Sequence, residues 1–314
     1  MSEILWETTG QSASFTRNER PLGRYTWDSK WTQPFFHPLW TPHSPEPVTL
    51  FAPSDHPWHR GLWWSWKYIN NVNFWDPHEK PESHYGYGES IVVAHNIEKE
   101  GHSAAISQQL ELHETGTSRI IARETRRMVL HPCLDGAPDD EYFSAWAIDF
   151  DLSWQGEDEL TFSTTQWPEK SWGGYGGLCF RPARALGADE SLINSEGATN
   201  KASFHGQSAR WAAYLGCCDN DDTARPWKSR RYGAAIFDHP SNPRHPQAFY
   251  THLLCEDDQF FSVMKVAPLM HESLVLPAGE SLRLRYRVAL FDDWNDVVLR
   301  QTIFDTAWNV WSRS

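Results

Sequence analysis

Residues 54–76, "SDHPWHRGLWWSWKYINNVNFWD", carry two histidines, an arginine, a lysine and five tryptophans in 23 positions. Histidine titrates near neutral pH, arginine grips planar oxyanions or hydroxyls, and an indole face stacks on the C–H face of a sugar ring. "PSDHPWHRG" therefore offers Asp55, His56, His59 and Arg60 for proton transfer, metal ligation or anion binding. The plainer reading is a turn in which Asp55 caps local amides and the imidazoles pack. A second stretch, "FDHPSNPRHP" (237–246), repeats Asp-His-Pro followed by another His and an Arg. If the two converge, His56, His59, His239 and His245 line one cleft. No cofactor is expected; a divalent metal shared by these four is the alternative left open, although their spacing matches no zinc signature.

A third stretch, "TQWPEKSWGGYGGLCFRPAR" (165–184), groups Glu169, Lys170 and Arg181 around four glycines. It has neither the spacing nor the following helix of a phosphate loop, so a glycine-rich connection is the simpler reading. The expected acid/base residues are His56, His59 and His239, with Glu169 as the carboxylate partner. Arg60 and Lys67 would take hydroxyl or carboxylate groups, with His37 and Arg181 beside them. Trp63, Trp66 and Trp75 would stack on the ring, at least one of Trp63, Trp64, Trp66 and Trp75 presenting an exposed face, and Asn242, Arg244 and His245 would form the opposite wall.

The elements that must position these groups read as β. "SIVVAHNIEKE", "HSAAISQQLELHE" and "SRIIARETRRMVLHP" form a meander over 90–132, and "YFSAWAIDFDLSW" and "LTFSTTQW" continue it. "YGAAIFD", "FFSVMKVAP" and "SLRLRYRVALFDD" are further strands. In the last, Leu282, Leu284, Tyr286 and Val288 alternate with Ser281 and three arginines, a half-exposed pattern. Only 295–312 reads as helix, with Asn295 or Asp296 as N-cap and Leu299, Ile303, Ala307 or Trp308, and Trp311 at helical spacing. Residues 30–90 and 167–231 read as long irregular loops, where sites tend to lie. The expectation is a mainly β protein: one large antiparallel β-sandwich domain over 1–314, with 1–24 an N-terminal extension or edge strand and a C-terminal helix.

A net charge of −13 argues against nucleic acid or an anionic membrane as partner. No run reaches the roughly 18 apolar residues that span a bilayer. The N-terminus lacks a signal-peptide pattern, and the five cysteines, one pair adjacent, make a poor disulfide framework. A reduced, cytoplasmic protein with a sugar or oligosaccharide as partner is expected; nothing in the sequence bears on oligomeric state.

"HPLWTP" (37–42), "DHPWHRGLWWSW…NNVNFWD" (55–76), "ARWAAYLG" (209–216) and "AIFDHPSNPRHPQAFY" (235–250) resemble a large bacterial family labelled PmoA-like or "methane oxygenase PmoA", of unknown function. The likeness spans roughly residues 25–300. Trp58 stands where that pattern usually has another His. The methane monooxygenase subunit of that name is a membrane protein, whereas this chain has no spanning run. The resemblance implies a galactose-mutarotase-like supersandwich and a place in sugar catabolism. In mutarotase-like enzymes a His serves as general acid and a carboxylate as general base. A carbohydrate-active epimerase, lyase or hydrolase is the leading expectation; a non-catalytic sugar-binding protein and a metal-dependent oxygenase are the alternatives.

Overall fold

A computed structural model describes residues 2–76, 86–165, 173–218, 230–256, 259–294 and 297–314. The chain opens with β1 (Ile4–Thr8), β2 (Ser12–Arg17), β3 (Arg20–Thr26), β4 (Phe35–Leu39), β5 (Leu62–Trp66), β6 (Tyr68–Ile69) and β7 (Val72–Asn73). The long strands β8 (Gly86–Glu100), β9 (Ser103–Glu114), β10 (Ile120–His131) and β11 (Phe143–Gln155) follow. Next come β12 (Leu160–Ser163), β13 (Gly176–Phe180), β14 (Ser191–Asn194), the short helix α1 (Lys201–Phe204) and β15 (Trp211–Cys217). β16 (Arg231–Asp238), β17 (Phe249–Glu256), β18 (Gln259–Val266), β19 (Leu274–Leu276) and β20 (Ser281–Asp293) lead to helix α2 (Val297–Trp311).

Eight strands form a front sheet in the order β1-β2-β3-β4-β5-β13-β18-β17, and twelve form a back sheet, β14-β15-β16-β20-β11-β10-β9-β8-β7-β6-β12-β19. The expected mainly β sandwich with a C-terminal helix is what the chain adopts. Period-2 alternation sorts the layers. From β20, Leu282, Leu284, Tyr286, Val288 and Leu290 enter the core between the sheets, where β11 adds Trp146, Ile148, Phe150, Leu152 and Trp154. The front sheet answers with Leu62, Trp64 and Trp66 of β5 and Leu178 and Phe180 of β13.

Alternate residues face outwards. On the back sheet, Ala145, Ala147, Phe237, Ala289 and Phe291 pack under Ile303, Phe304, Ala307 and Trp311 of α2. These helix positions recur at three- and four-residue spacing, which makes one apolar stripe. Leu299 is 49% exposed; the stripe is opened instead by Arg300, buried in an ion pair with Asp293. The proposed N-caps Asn295 and Asp296 lie outside the described residues. The N-terminal residues supply the edge strand β1 and the two strands paired in turn beside it, β2 and β3. The regions read as irregular loops hold β4 to β7 and β13 to β15. Their central strands are buried on both faces and show no alternation: every residue of β5 and of β13 is buried. No helix of the described residues is long and apolar enough to cross a membrane.

Candidate functional site

Register places one row of side chains across the outward side of the front sheet. Phe35 of β4 lies opposite Trp63 of β5, Trp63 opposite Cys179 of β13, Cys179 opposite Lys265 of β18, and Lys265 opposite Tyr250 of β17. Apart from Lys265, they join Trp75, Ala248, Val263, Ala267 and Met270 in an apolar cluster separate from the inter-sheet core. The "PSDHPWHRG" segment folds over this row through two short turns, His56 N–H donating to Pro53 O at 3.0 Å and His59 N–H to His56 O at 2.9 Å. Gly61 closes it at φ +74°, where a Cβ would stand 2.5 Å from Phe36 O, so the position demands glycine.

His59 is 3% exposed, and its ring sits 4.7 Å from His56, 5.1 Å from Trp63 and 5.9 Å from Phe261. Burial first, then the charges of Arg181, His56, Lys265 and Arg60, push its pKa well below the usual imidazole value, so the ring is neutral. Arg60 lies 4.6 Å over the Trp31 ring, and burial lowers its pKa to about 10. Arg181, fully buried, lies 4.3 Å over Phe261 and donates from Nη2 to Asp55 Oδ2 at 2.8 Å. Asp55 also meets Nδ1 of His56 at 3.0 Å. Lys265, 1% exposed, points its Nζ into a three-ring cage, 3.9 Å from Tyr175, 4.1 Å from Tyr250 and 4.7 Å from Trp75. Burial drives its pKa well below that of a free lysine and pushes the neighbouring Cys179 thiol up to about 12.

Buried polar atoms in proteins almost always find a hydrogen-bond partner. Among the described residues, Nδ1 of His59, Nε and Nη1 of Arg60, Nε and Nη1 of Arg181, Nζ of Lys265 and the indole N–H groups of Trp63 and Trp75 have none. Asp55, His56 and Arg184, with side chains 31%, 27% and 55% exposed, form the solvent-facing edge of this cluster. The half-buried rings of Trp31, Trp58, Tyr175 and Phe261 flank it.

The structure thus gathers His56, His59, Arg60, Trp63, Trp75 and Arg181. His37 adjoins them, stacked 5.2 Å from Phe51 and bonded to Thr49 Oγ1 at 3.0 Å. The expected exposed indole face is absent: Trp63, Trp64, Trp66 and Trp75 are all 1–2% exposed. Trp66 and Trp64 point into the inter-sheet core, Trp66 packing on Trp154 and Phe162, so Trp66 faces away from the site. Lys67 is buried in an ion pair with Asp76. Glu169 lies outside the described residues.

The second Asp-His-Pro segment goes elsewhere. Asp238, fully buried, accepts from His245 Nδ1 at 2.7 Å, from Gln247 N–H at 2.8 Å and from Asn242 Nδ2 at 2.8 Å. His245 stacks on Trp308 of α2. His239 packs on Trp311 of α2 and accepts from Arg285 Nη1 at 2.9 Å. Arg244 donates to the carbonyl oxygens of Pro268, Glu272 and Ser273 at 2.8–3.0 Å. These bonds tie the loop after β16 to β20 and α2. His239 and His245 lie against α2 on the outer side of the back sheet, whereas His59 lies on the outer side of the front sheet. The two segments do not share a cleft, and the four histidines cannot share a metal. No group of three or more His, Cys, Asp or Glu among the described residues is placed to hold one.

Lys265, Tyr175, Tyr250 and Phe261 were not anticipated, nor was His252, whose ring meets Phe261 at 4.9 Å. The signal for Lys265 was present: one lysine in the otherwise uncharged strand "FFSVMKVAP". An open concavity of about 510 Å³ lies on the back sheet, lined by residues such as Gln109, Arg127, Asp151 and Arg283. Arg283 and Asp151 pair there, and none of the motif residues reaches it.

Fold and site together define a large two-sheet β protein with, on one outer face, a buried cluster of polar groups that have no partner among the described residues. A sequence profile described as "Family of unknown function (DUF6807)" matches residues 12–302, and the chain belongs to that family. That description assigns no activity, and the methane-oxygenase label is not part of it. No protein of curated description matches the chain significantly. Among solved structures it is similar to a putative kojibiose phosphorylase from the human microbiome, at 9% identity and TM-score 0.31 over 100% of this chain and 33% of that one. It is also similar to the alpha-galactosidase from Lactobacillus brevis, at 8% identity and TM-score 0.31 over 95% of this chain and 40% of that one. The chain thus spans well under half of either.

Proposed function

We propose that the outer face of the front sheet is the binding site of a carbohydrate-active enzyme and that His59 moves a proton on its sugar substrate. The observation that carries this reading is a buried neutral imidazole whose Nδ1 lacks a partner among the described residues, ringed by guanidinium groups and aromatic faces. A neutral imidazole is a competent general base, and Arg60 and Arg181 carry N–H groups with no acceptor among the described residues, suited to stabilise oxygen charge as it develops. Trp58 and Phe261 offer half-buried rings on which a sugar C–H face can stack. Asp55, anchored by Arg181 and His56, is the carboxylate at the mouth. Epimerisation, elimination and hydrolysis all draw on this set of groups.

The 3% exposure of His59 favours a second reading, a sugar-binding protein that performs no chemistry. A panel of sugars assayed for turnover, with binding followed by tryptophan fluorescence, separates the two. His59→Ala should lower turnover by at least about 10²-fold while affinity stays within about tenfold. Equal losses in both indicate a binding role, and unchanged turnover removes His59 from the mechanism.

A further inference from the structure

The cations of this face are at odds with the rest of the chain. The protein carries a net charge of −13, yet Arg60 and Arg181 lie beside His59, Arg60 next to it in the chain and Arg181 4.3 Å over the Phe261 ring that His59 meets at 5.9 Å. Asp55 is the carboxylate that meets them among the described residues, and it is divided among Arg181 at 2.8 Å, Arg184 at 3.7 Å and His56 at 3.0 Å. Arg60 has no carboxylate partner among the described residues, and its Nε and Nη1 find no acceptor beside the aromatic rings that stack on its plane. Burying charged donors without acceptors is unfavourable, and a fold retains such an arrangement where a ligand completes it.

From this geometry, and resting on the carbohydrate reading above, we infer that the substrate is an acidic sugar: a hydroxylated ring bearing an oxyanion, held by Arg60 and Arg181 beside His59. The planar guanidinium fork suits a carboxylate or a phosphate ester equally in shape. The aromatic walls exclude water from the contact and strengthen it. Neutral sugars supply hydroxyl acceptors to the same N–H groups but leave the charges uncompensated. The acidic group is therefore what the site selects.

Isothermal titration of the full chain tests this with glucuronate and galacturonate, the matched neutral hexoses glucose and galactose, and glucose 6-phosphate. An acidic ligand should bind at least about tenfold tighter than its neutral counterpart, the scale of one charge-assisted hydrogen bond. Arg60→Gln should weaken acidic ligands at least about tenfold more than neutral hexoses, which lose only hydrogen bonds there; Arg60→Lys, which keeps the charge without the fork, should retain part of the preference. A uronate that binds best identifies the anion as a carboxylate, and a tighter sugar phosphate identifies it as a phosphate ester; both uphold the inference. If neutral hexoses bind and acids bind no tighter, the anion is wrong while the sugar reading stands. If no sugar of either kind binds, both fall. Equal loss of acidic and neutral binding in Arg60→Gln overturns the role of Arg60 as the anion reader.

Discussion

Replacing Lys265 with methionine should make the protein more stable. Lys265 is 1% exposed, and its Nζ has no hydrogen-bond partner among the described residues. Methionine has similar length and keeps the contacts with Tyr175, Tyr250 and Trp75 while removing the unsatisfied polar end. An unpaired buried polar group costs about 1–3 kcal/mol. Cation–π attraction offsets this only while the amine is protonated, and burial drives its pKa well below the free value. The expected gain near neutral pH is at least about 1 kcal/mol, or roughly 2 °C or more in Tm for a chain of this size, because the cost of deprotonating the amine on folding adds to that of the unpaired group. The pH dependence supplies a second check. A lysine whose folded pKa is depressed binds fewer protons folded than unfolded, so wild-type stability rises with pH from that folded pKa up to about 10.4. A thioether does not titrate, so the advantage of Lys265→Met should shrink as pH approaches the upper limit. Denaturant unfolding of both proteins near pH 7 and near pH 9.5 measures both effects. A variant about 1 kcal/mol less stable than wild type, or a gap unchanged across that range, would mean that the ammonium is held charged, and the reasoning fails.

Three further outcomes are expected. If His59 is the general base, the acid limb of kcat/KM should fall below the unperturbed histidine value of about 6.5, because its depressed pKa keeps it neutral to lower pH; a limb at or above that value points to another group. Burial opposes ionisation of Asp149, but Arg287 and His131 hold its pKa down to about 2. This depressed carboxylate contributes stability fully present above about pH 4, worth about 2–2.5 kcal/mol, that is lost as pH falls from 4 towards 2; Asp149→Asn should flatten acid unfolding in that window. Phe304, fully buried between α2 and the back sheet, should cost about 3–5 kcal/mol as Phe304→Ala, read by denaturant unfolding, and a loss under about 1 kcal/mol would show that α2 is not anchored there.

The sequence disclosed strands where one face is wet. β9 to β11 and β20 were legible because polar and apolar residues alternate along at least part of their length. β5 and β13 were not, since "LWWSW" and "GGLCF" are buried throughout and alternation vanishes. The same loss of pattern hid which tryptophans face the site. In β5, Trp63 turns outwards and Trp64 and Trp66 turn inwards, and only the register with β4 and β13 settles which is which. Lys265 escaped notice because a lysine in a strand ordinarily reaches solvent, whereas here β17 and β13 flank it and three rings cover it.

The two Asp-His-Pro segments show most clearly what residue types alone cannot convey. Both place an aspartate, two histidines and an arginine within a few residues, and both form tight turns after apolar strands or bridges. In the second, the aspartate is fully buried and its oxygens take three donors; His239, His245 and Arg244 each find partners in β20, α2 or nearby carbonyls. That is the satisfied network of a structural corner. In the first, the aspartate stays part-exposed, and the donors of His59, Arg60 and Arg181 remain unpaired among the described residues. The same residue types are folded once into a self-satisfied joint and once into a cluster that lacks acceptors of its own among the described residues, and that contrast is what favours the front sheet over the loop beside α2 as the place for a ligand.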